Sequence, residues 1–282
     1  MLLKEFIQDA SAALGRLYPF EEARRIVILL VTDRLGVTPY THLIDPEFRI
    51  DGPSADLLEK DMERLLRYEP IQYVLGYAEF FSRRFRVTEA TLIPRPETEV
   101  LCREALRYLQ RREDRPRVLD LCTGSGCIAW TIAQEKPTAE VFATDISEEA
   151  LEVARGQGFP GNAPTFARSD LLTEDPPFPG LFDLIVCNPP YIAESEKEAM
   201  RPNVLSFEPD LALFVPDSNP LMYYRSLAAL AARRLAPDGL GLVEINERFP
   251  EETAAVFRSS GFSSAEVVSD FFGRPRFIRF LR

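Results

Sequence analysis

Apolar residues first recur at helical spacing and later fall in strand-length runs. Leu3, Phe6, Ile7, Ala10, Ala13, Leu14 and Leu17 lie on one face of a helix, and Pro19 interrupts it. A second helix is predicted over 21–35, with acidic residues in its first turn and Gly36 just past its end. Ser54 is expected to cap a third helix carrying Leu57, Leu58, Met62, Leu65 and Leu66, with Pro70 beyond it. Three helices of this kind make a small bundle, so residues 1–75 read as a separate all-α domain.

From Ile71 the texture changes. Phe80, Phe81, Phe85 and Val87, with Arg and Ser between them, suggest a short hairpin, and 76–95 reads as a hairpin linker. In the segment 92–99 the prolines impose an extended entry, and Pro96 suits the first turn of a helix. Glu97 and Glu99 there oppose the positive end of the helix dipole. Strands and helices then alternate over 96–282. Strands are expected at 118–121, 140–144, around Phe166, at 182–187, 240–245, 265–268 and 277–281. Helices are expected at 128–133, after a Ser147 cap, around 223–235 and near 251–257. This alternation predicts an α/β fold with a mostly parallel sheet covered on both faces. The Pro-rich stretch 173–180 reads as a loop.

Composition narrows the function. The chain is 46% hydrophobic and 27% charged, the balance of a soluble globular protein. It shows no bilayer-length apolar run and no signal pattern at its N-terminus, so a cytoplasmic protein without a membrane partner is expected. There are four cysteines, none in a Cys-x-x-Cys pair, and a single histidine, His42, so no metal site or disulfide framework is expected. Cys122, Cys127 and Cys187 read as small buried residues beside a nucleotide pocket. The net charge of −11 opposes tight nonspecific binding to nucleic acid, and no stable nucleic-acid partner is expected. Arg83, Arg84 and Arg86, and Arg274, Arg276 and Arg279, read as solvated faces.

Three motifs carry candidate chemistry. Asp120-Leu121-Cys122-Thr123-Gly124-Ser125-Gly126 places glycines right after a strand, where a backbone can approach a ligand closely; an ordinary turn explains it nearly as well. Asp145 ends the next strand, about twenty positions on, where a carboxylate can accept from both hydroxyls of a ribose. Its alternative is a loop aspartate at the start of the Ser147 helix. Asn188-Pro189-Pro190-Tyr191 follows the fourth strand. Successive prolines stiffen that loop and fix the direction of the Asn188 side-chain carbonyl and the Pro189 backbone carbonyl. Both can accept from one planar NH₂ group, which Tyr191 can stack on or wall off.

With these residues in view, the chain resembles the HemK/PrmC family of release-factor glutamine methyltransferases. The likeness covers most of the sequence: residues 70–76, 92–99, the Asp120 turn, Asp145, Ser169-Asp170-Leu171, Asn188 to Tyr191, Glu208-Pro209 with Ala212-Leu213, and the tail around Asp270 and Gly273. The proline-arginine-proline segment separates this family from other enzymes with an Asn-Pro-Pro-Tyr loop. The resemblance implies a class I S-adenosylmethionine-dependent methyltransferase fold, Rossmann-like, over 96–282, with a small all-α N-terminal domain that docks peptide chain release factors. It implies transfer of methyl from S-adenosylmethionine, leaving S-adenosylhomocysteine, to the glutamine amide of a Gly-Gly-Gln motif, by a monomer outside its complex. Asn188, Pro189, Pro190 and Tyr191 would hold the acceptor. Cys122, Thr123, Gly124, Ser125 and Gly126 would border the methionine part of the cofactor, with Asn188 beside it. Asp145 would hold the ribose, and Asp170 with Leu171 the adenine. Cys122 and Asn246 stand where the family usually has glycine, so the turn at Cys122 must tolerate a side chain. The segment 217–221 departs from the family's Asp-Gly-Leu pattern. An adenine amino-methyltransferase and a non-catalytic cofactor-binding adaptor are the rival readings; acidic charge opposes the first and the intact acceptor loop the second.

Overall fold

In the computed structural model, which describes residues 1–112, 114–270 and 272–282, the apolar stripe that begins at Leu3 forms α1 (Leu3–Leu14). It belongs to a unit made of Met1–Gly76 and Arg201–Phe207. α2 (Phe20–Leu35) buries Ala23, Val27, Leu30 and Val31, and ends at Gly36, whose φ of +63° suits a residue without a Cβ. α3 (Thr41–Ile44), α4 (Gly52–Leu65) and α5 (Ile71–Leu75) follow. α4 begins earlier than its sequence suggested. Its cap is Asp51, whose carboxylate accepts from the Ser54 N–H at 2.8 Å, and Ser54 lies inside the first turn. The buried side of α4 carries Leu58, Met62 and Leu65, which turns Leu57 and Leu66 to solvent. Asp61 shares that buried side but is paired: Arg34 Nε donates to it at 2.6 Å and Arg34 Nη2 to the Val74 carbonyl at 2.8 Å.

The second unit, Tyr77–Met200 and Glu208–Arg282, starts with the antiparallel hairpin β1 (Tyr77–Phe80) and β2 (Arg83–Arg86). Phe81 and Ser82 form its turn with φ of 50° and 59°. The hairpin is part of this unit and not a linker, because Phe80 and Phe85 are buried in the same cluster as Leu101, Cys102 and Ile128. Then come α6 (Thr98–Gln110), β3 (Arg117–Leu121), α7 (Cys127–Glu135), β4 (Glu140–Asp145), α8 (Glu148–Arg155), β5 (Thr165–Arg168), β6 (Phe182–Cys187) and the short β7 (Ile192–Ala193). α9 (Pro202–Leu205) lies in the excursion that clusters with the first unit, where Arg201 pairs with Glu22 at 2.6 Å. α10 (Asp210–Leu213), β8 (Phe214–Val215), α11 (Met222–Arg234), β9 (Leu235–Glu244), α12 (Pro250–Ser259), β10 (Ser264–Ser269) and β11 (Pro275–Leu281) complete the unit.

The main sheet has the order β10-β11-β9-β6-β3-β4-β5. Its strands are parallel from β5 to β9, and β11 and β10 add antiparallel. One apolar cluster covers each face, which is why β3 and β6 read as nearly unbroken apolar runs. The strand order reverses at β3, whose neighbours are β4 and β6. A crevice opens beyond the carboxyl ends of strands at such a reversal. Gly241 on β9 faces Phe280 on β11, so the ring occupies the space a side chain would need. Among the described residues no helix is long and apolar enough to cross a membrane.

Candidate active site

A cavity of about 260 Å³ lies at the carboxyl ends of the parallel strands. Gly124 after β3, Asp145 at the end of β4, Asp170 after β5 and Asn188 after β6 all stand on its wall. Four sequence segments more than sixty residues apart at their extremes thus meet in one space. The strand tips are locked together: Thr123 N–H donates to the Thr144 carbonyl at 3.0 Å, and Ser169 N–H to that of Asp145 at 2.9 Å.

Asp145 stands at the start of the Ser147-capped helix, as the turn reading expected, and also lines the cavity. Its Oδ2 accepts from Gly124 N–H at 2.8 Å and its Oδ1 from Ser147 N–H at 3.0 Å, while Ser147 Oγ caps α8 through Ala150 N–H. Each carboxylate oxygen keeps a further lone pair for a ligand hydroxyl. Burial raises its pKa, against the lowering effect of these backbone donors. Asp170 shapes its own turn, accepting from Leu172 N–H and the Thr173 hydroxyl at 2.9 and 2.8 Å. Cys122 has φ +57° and borders the cavity, so the turn does accept a side chain in the left-handed region. Burial pushes the Cys127 thiol up to about 12 and the Cys187 thiol well above its usual range, so both are protonated at neutral pH.

The wall fits a nucleoside carrying an amino acid. Ser169 is 5% exposed and stands on the wall, and its hydroxyl has no hydrogen-bond partner among the described residues. A buried hydroxyl of that kind on a cavity wall is free to bond a polar group brought into the cavity. A Cβ on Gly124 would meet nothing within 4 Å, so the backbone there is open to close approach. Asp145 and Asp170 supply acceptors beside these groups.

Three expected site residues fall elsewhere. Gly126 caps α7 away from the wall, and a Cβ there would sit 3.1 Å from Ala154 Cβ and Trp130 Cδ1; helix packing, not ligand contact, requires glycine. Tyr191 is not on the cavity wall; its hydroxyl donates to Glu244 Oε1 at 2.9 Å, which anchors the loop instead of covering an acceptor. Pro189 is buried and does not line the cavity, whereas Pro190 does. Asn246 donates through Nδ2 to the Tyr191 carbonyl at 2.9 Å and to Glu196 Oε1 at 2.8 Å, a brace for the acceptor loop that glycine cannot provide.

Sequence reasoning missed four contributors. Thr98 lies on the wall and donates to Glu244 Oε2 at 2.7 Å. Glu208 is buried; it accepts from Ile93 N–H at 3.1 Å and from Arg95 Nη2 at 2.6 Å, holding the proline-arginine-proline segment beside the cavity. Tyr223 also lines the wall. Thr98 and Glu208 lay within recognised motifs and Glu244 two residues before Asn246 at the end of an expected strand, which was the available signal; Tyr223 had none beyond apolar neighbours.

Known proteins carry the same pattern. A model of the PrmC N-terminal domain matches residues 5–76, and one of the methyltransferase small domain matches 101–205. A release factor glutamine methyltransferase of Bacteroides thetaiotaomicron is 40% identical over 94% of this chain and 95% of its own. The chain belongs to the release factor glutamine methyltransferases. Another member, from Deinococcus radiodurans, is 37% identical over 99% of this chain and 98% of its own. The crystal structure of a methyltransferase from Pyrococcus furiosus superimposes with a TM-score of 0.50 at 16% identity, over 79% of this chain and 98% of that one, and shares the fold. The unit beyond Gly76 is a class I methyltransferase with S-adenosylmethionine as its cofactor, as befits this family.

Proposed function

We propose that this enzyme methylates the side-chain amide nitrogen, N5, of the glutamine in the Gly-Gly-Gln motif of peptide chain release factors. The observation that carries the reading is the placing of Asn188 on the wall of one cavity with Gly124, Asp145 and Asp170. Thr123, Gly124 and Ser125, with Cys122, would hold the methionine part of the cofactor, Asp145 the ribose, and Asp170 with Leu171 the adenine. Bound S-adenosylmethionine supplies a methyl group already activated by its sulfonium. An amide nitrogen is a poor nucleophile, because its lone pair is shared with the carbonyl. What the protein must add is aim. The Asn188 side-chain carbonyl, which stands on the cavity wall, accepts one N–H bond and turns the nitrogen toward the cofactor. Positioning of this kind contributes up to about 7–11 kcal/mol. The same carbonyl dipole stabilises positive charge developing on nitrogen. The N-methylated amide cation is strongly acidic and loses its proton to water, so no buried base is needed.

The helical unit is the docking module for the release factor. The enzyme acts in the cytoplasm as a monomer outside its complex, without a stable nucleic-acid partner. Labelled cofactor offered with release factor, DNA and RNA tests the substrate, with mass spectrometry of the Gly-Gly-Gln peptide locating the methyl group. Label in nucleic acid alone overturns the reading. Asn188→Ala is expected to keep cofactor affinity and lose about 100-fold or more in kcat; turnover near wild type removes Asn188 from the acceptor site.

A further inference from the structure

Two elements, α6 and β9, meet the acceptor loop and join four side chains by hydrogen bonds. Glu244, at the end of β9, is buried. Its Oε2 accepts from the Thr98 hydroxyl at 2.7 Å and its Oε1 from the Tyr191 hydroxyl at 2.9 Å. Thr98, the first residue of α6, also lies 3.4 Å from Asn188 Nδ2. That contact is long, so it selects an orientation and adds little stability.

A threonine hydroxyl has one proton. With that proton committed to Glu244, Thr98 offers Asn188 only a lone pair. A lone pair selects the NH₂ half of the carboxamide. The oxygen and nitrogen of a carboxamide are nearly the same shape, so hydrogen bonds and not packing decide which way it lies. Among the described residues, Asn188 Oδ1 has no hydrogen-bond partner, and Asn188 stands on the cavity wall. The opposite flip would set its NH₂ against the NH₂ of an acceptor amide, donor against donor.

We propose that Thr98 and Glu244 are positioning residues that set the flip of the Asn188 carboxamide, keeping its oxygen for the acceptor nitrogen. The inference rests on the acceptor role given to Asn188 above. Glu244 is the sink that orients the Thr98 proton, and its second bond, to Tyr191, fixes the far end of the acceptor loop on the same carboxylate. A glutamine at 244 can turn its NH₂ toward Thr98, freeing the threonine proton to point at Asn188 and invite the wrong half of the carboxamide.

Thr98→Val keeps the shape and removes the hydroxyl; Thr98→Ser keeps the hydroxyl. On release factor, Thr98→Val is expected to lose about 2- to 10-fold in kcat, as the right flip loses its preference, with KM for S-adenosylmethionine little changed, while Thr98→Ser stays close to wild type. Glu244→Gln is expected to fall at least as far as Thr98→Val, and the double variant no further than Glu244→Gln alone. The second readout needs no turnover: the Asn188 side-chain amide signals in proton–nitrogen spectra, identified by their loss in Asn188→Asp. Their shift and solvent exchange should change in Thr98→Val and return in Thr98→Ser. Wild-type kcat in Thr98→Val, an equal loss in Thr98→Ser, or Asn188 signals indifferent to Thr98→Val would each overturn the proposal. A wild-type enzyme inert on release factors, whose Asn188 signals still respond to both Thr98 variants as stated, would overturn the substrate and support the relay.

Discussion

Asp120 shows how one side chain can report on the cofactor turn. It is fully buried at the end of β3, where its Oδ2 accepts from the Thr123 hydroxyl at 2.6 Å and from Ala129 N–H at 3.2 Å, and its Oδ1 has no partner among the described residues. Burial raises its pKa from 3.8 to about 7, with these donors acting against the rise. The folded carboxyl therefore binds its proton more tightly than the unfolded one. The resulting stability is full below pH 3.8 and is lost as pH rises through about 7. Asp120→Asn cannot ionise and keeps an acceptor for Thr123 and Ala129. The expected outcome is a flatter dependence of the urea midpoint on pH across that window than in wild type, whatever the variant's absolute stability. An unchanged slope would place the titration elsewhere. At Cys122 the same turn holds a left-handed conformation that costs an L-residue about 1–2 kcal/mol. That strain is tolerated because Thr123 and Gly124 are hydrogen-bonded on to β4 at once.

At the scale of elements, the cavity depends on strands whose pairing brings their tips level. β9 carries Glu244 to the site, and β11 holds β9 in register through the pairing of Phe280 with Gly241 and of Phe277 with Glu244. A Cβ at Gly241 would lie 1.9 Å from Phe280 Cζ. The ring cannot yield easily, since it stacks on Phe257 at 4.3 Å and meets Phe262 at 4.8 Å. Gly241→Ala should cost about 1–3 kcal/mol or more by overpacking, seen as a lowered denaturation midpoint. Its register is parallel to β6 on the other side, so loss of activity at temperatures where the variant remains folded would show the strain reaching Glu244. The hairpin β1–β2 is tied to the cofactor turn in a comparable way: Gln157 bonds the Arg86 backbone on both sides and the Ser125 carbonyl at 2.8 Å.

At the scale of the molecule, the chain forms two units, Met1–Gly76 with Arg201–Phe207 and Tyr77–Met200 with Glu208–Arg282. If the helical unit docks the release factor, a short peptide bearing Gly-Gly-Gln presents the acceptor but not the docked surface. Its kcat/KM should fall about 100-fold or more below that of the whole factor, mainly through KM. Equal kcat/KM for peptide and factor would leave the helical unit without that role.

Much of the architecture was legible in the linear chain because its signals are local. Apolar runs bounded by turns placed the strands, Gly36 marked the end of α2, and a strand followed at once by Gly124, Asp145, Asp170 or Asn188 marked each corner of the cavity. Those residues follow the strands that carry them, so sequence order was enough to find them. What only the folded chain decided was which distant groups complete the site. Thr98 and Glu244 are 146 residues apart, and no local pattern links them. Gly126, Tyr191 and Ser54 sat in the right motifs but took other roles, because the direction of a side chain depends on what packs behind it. Local backbone preference chose the elements; side-chain partners across the sheet chose the direction of the carboxamide on which the proposed chemistry depends.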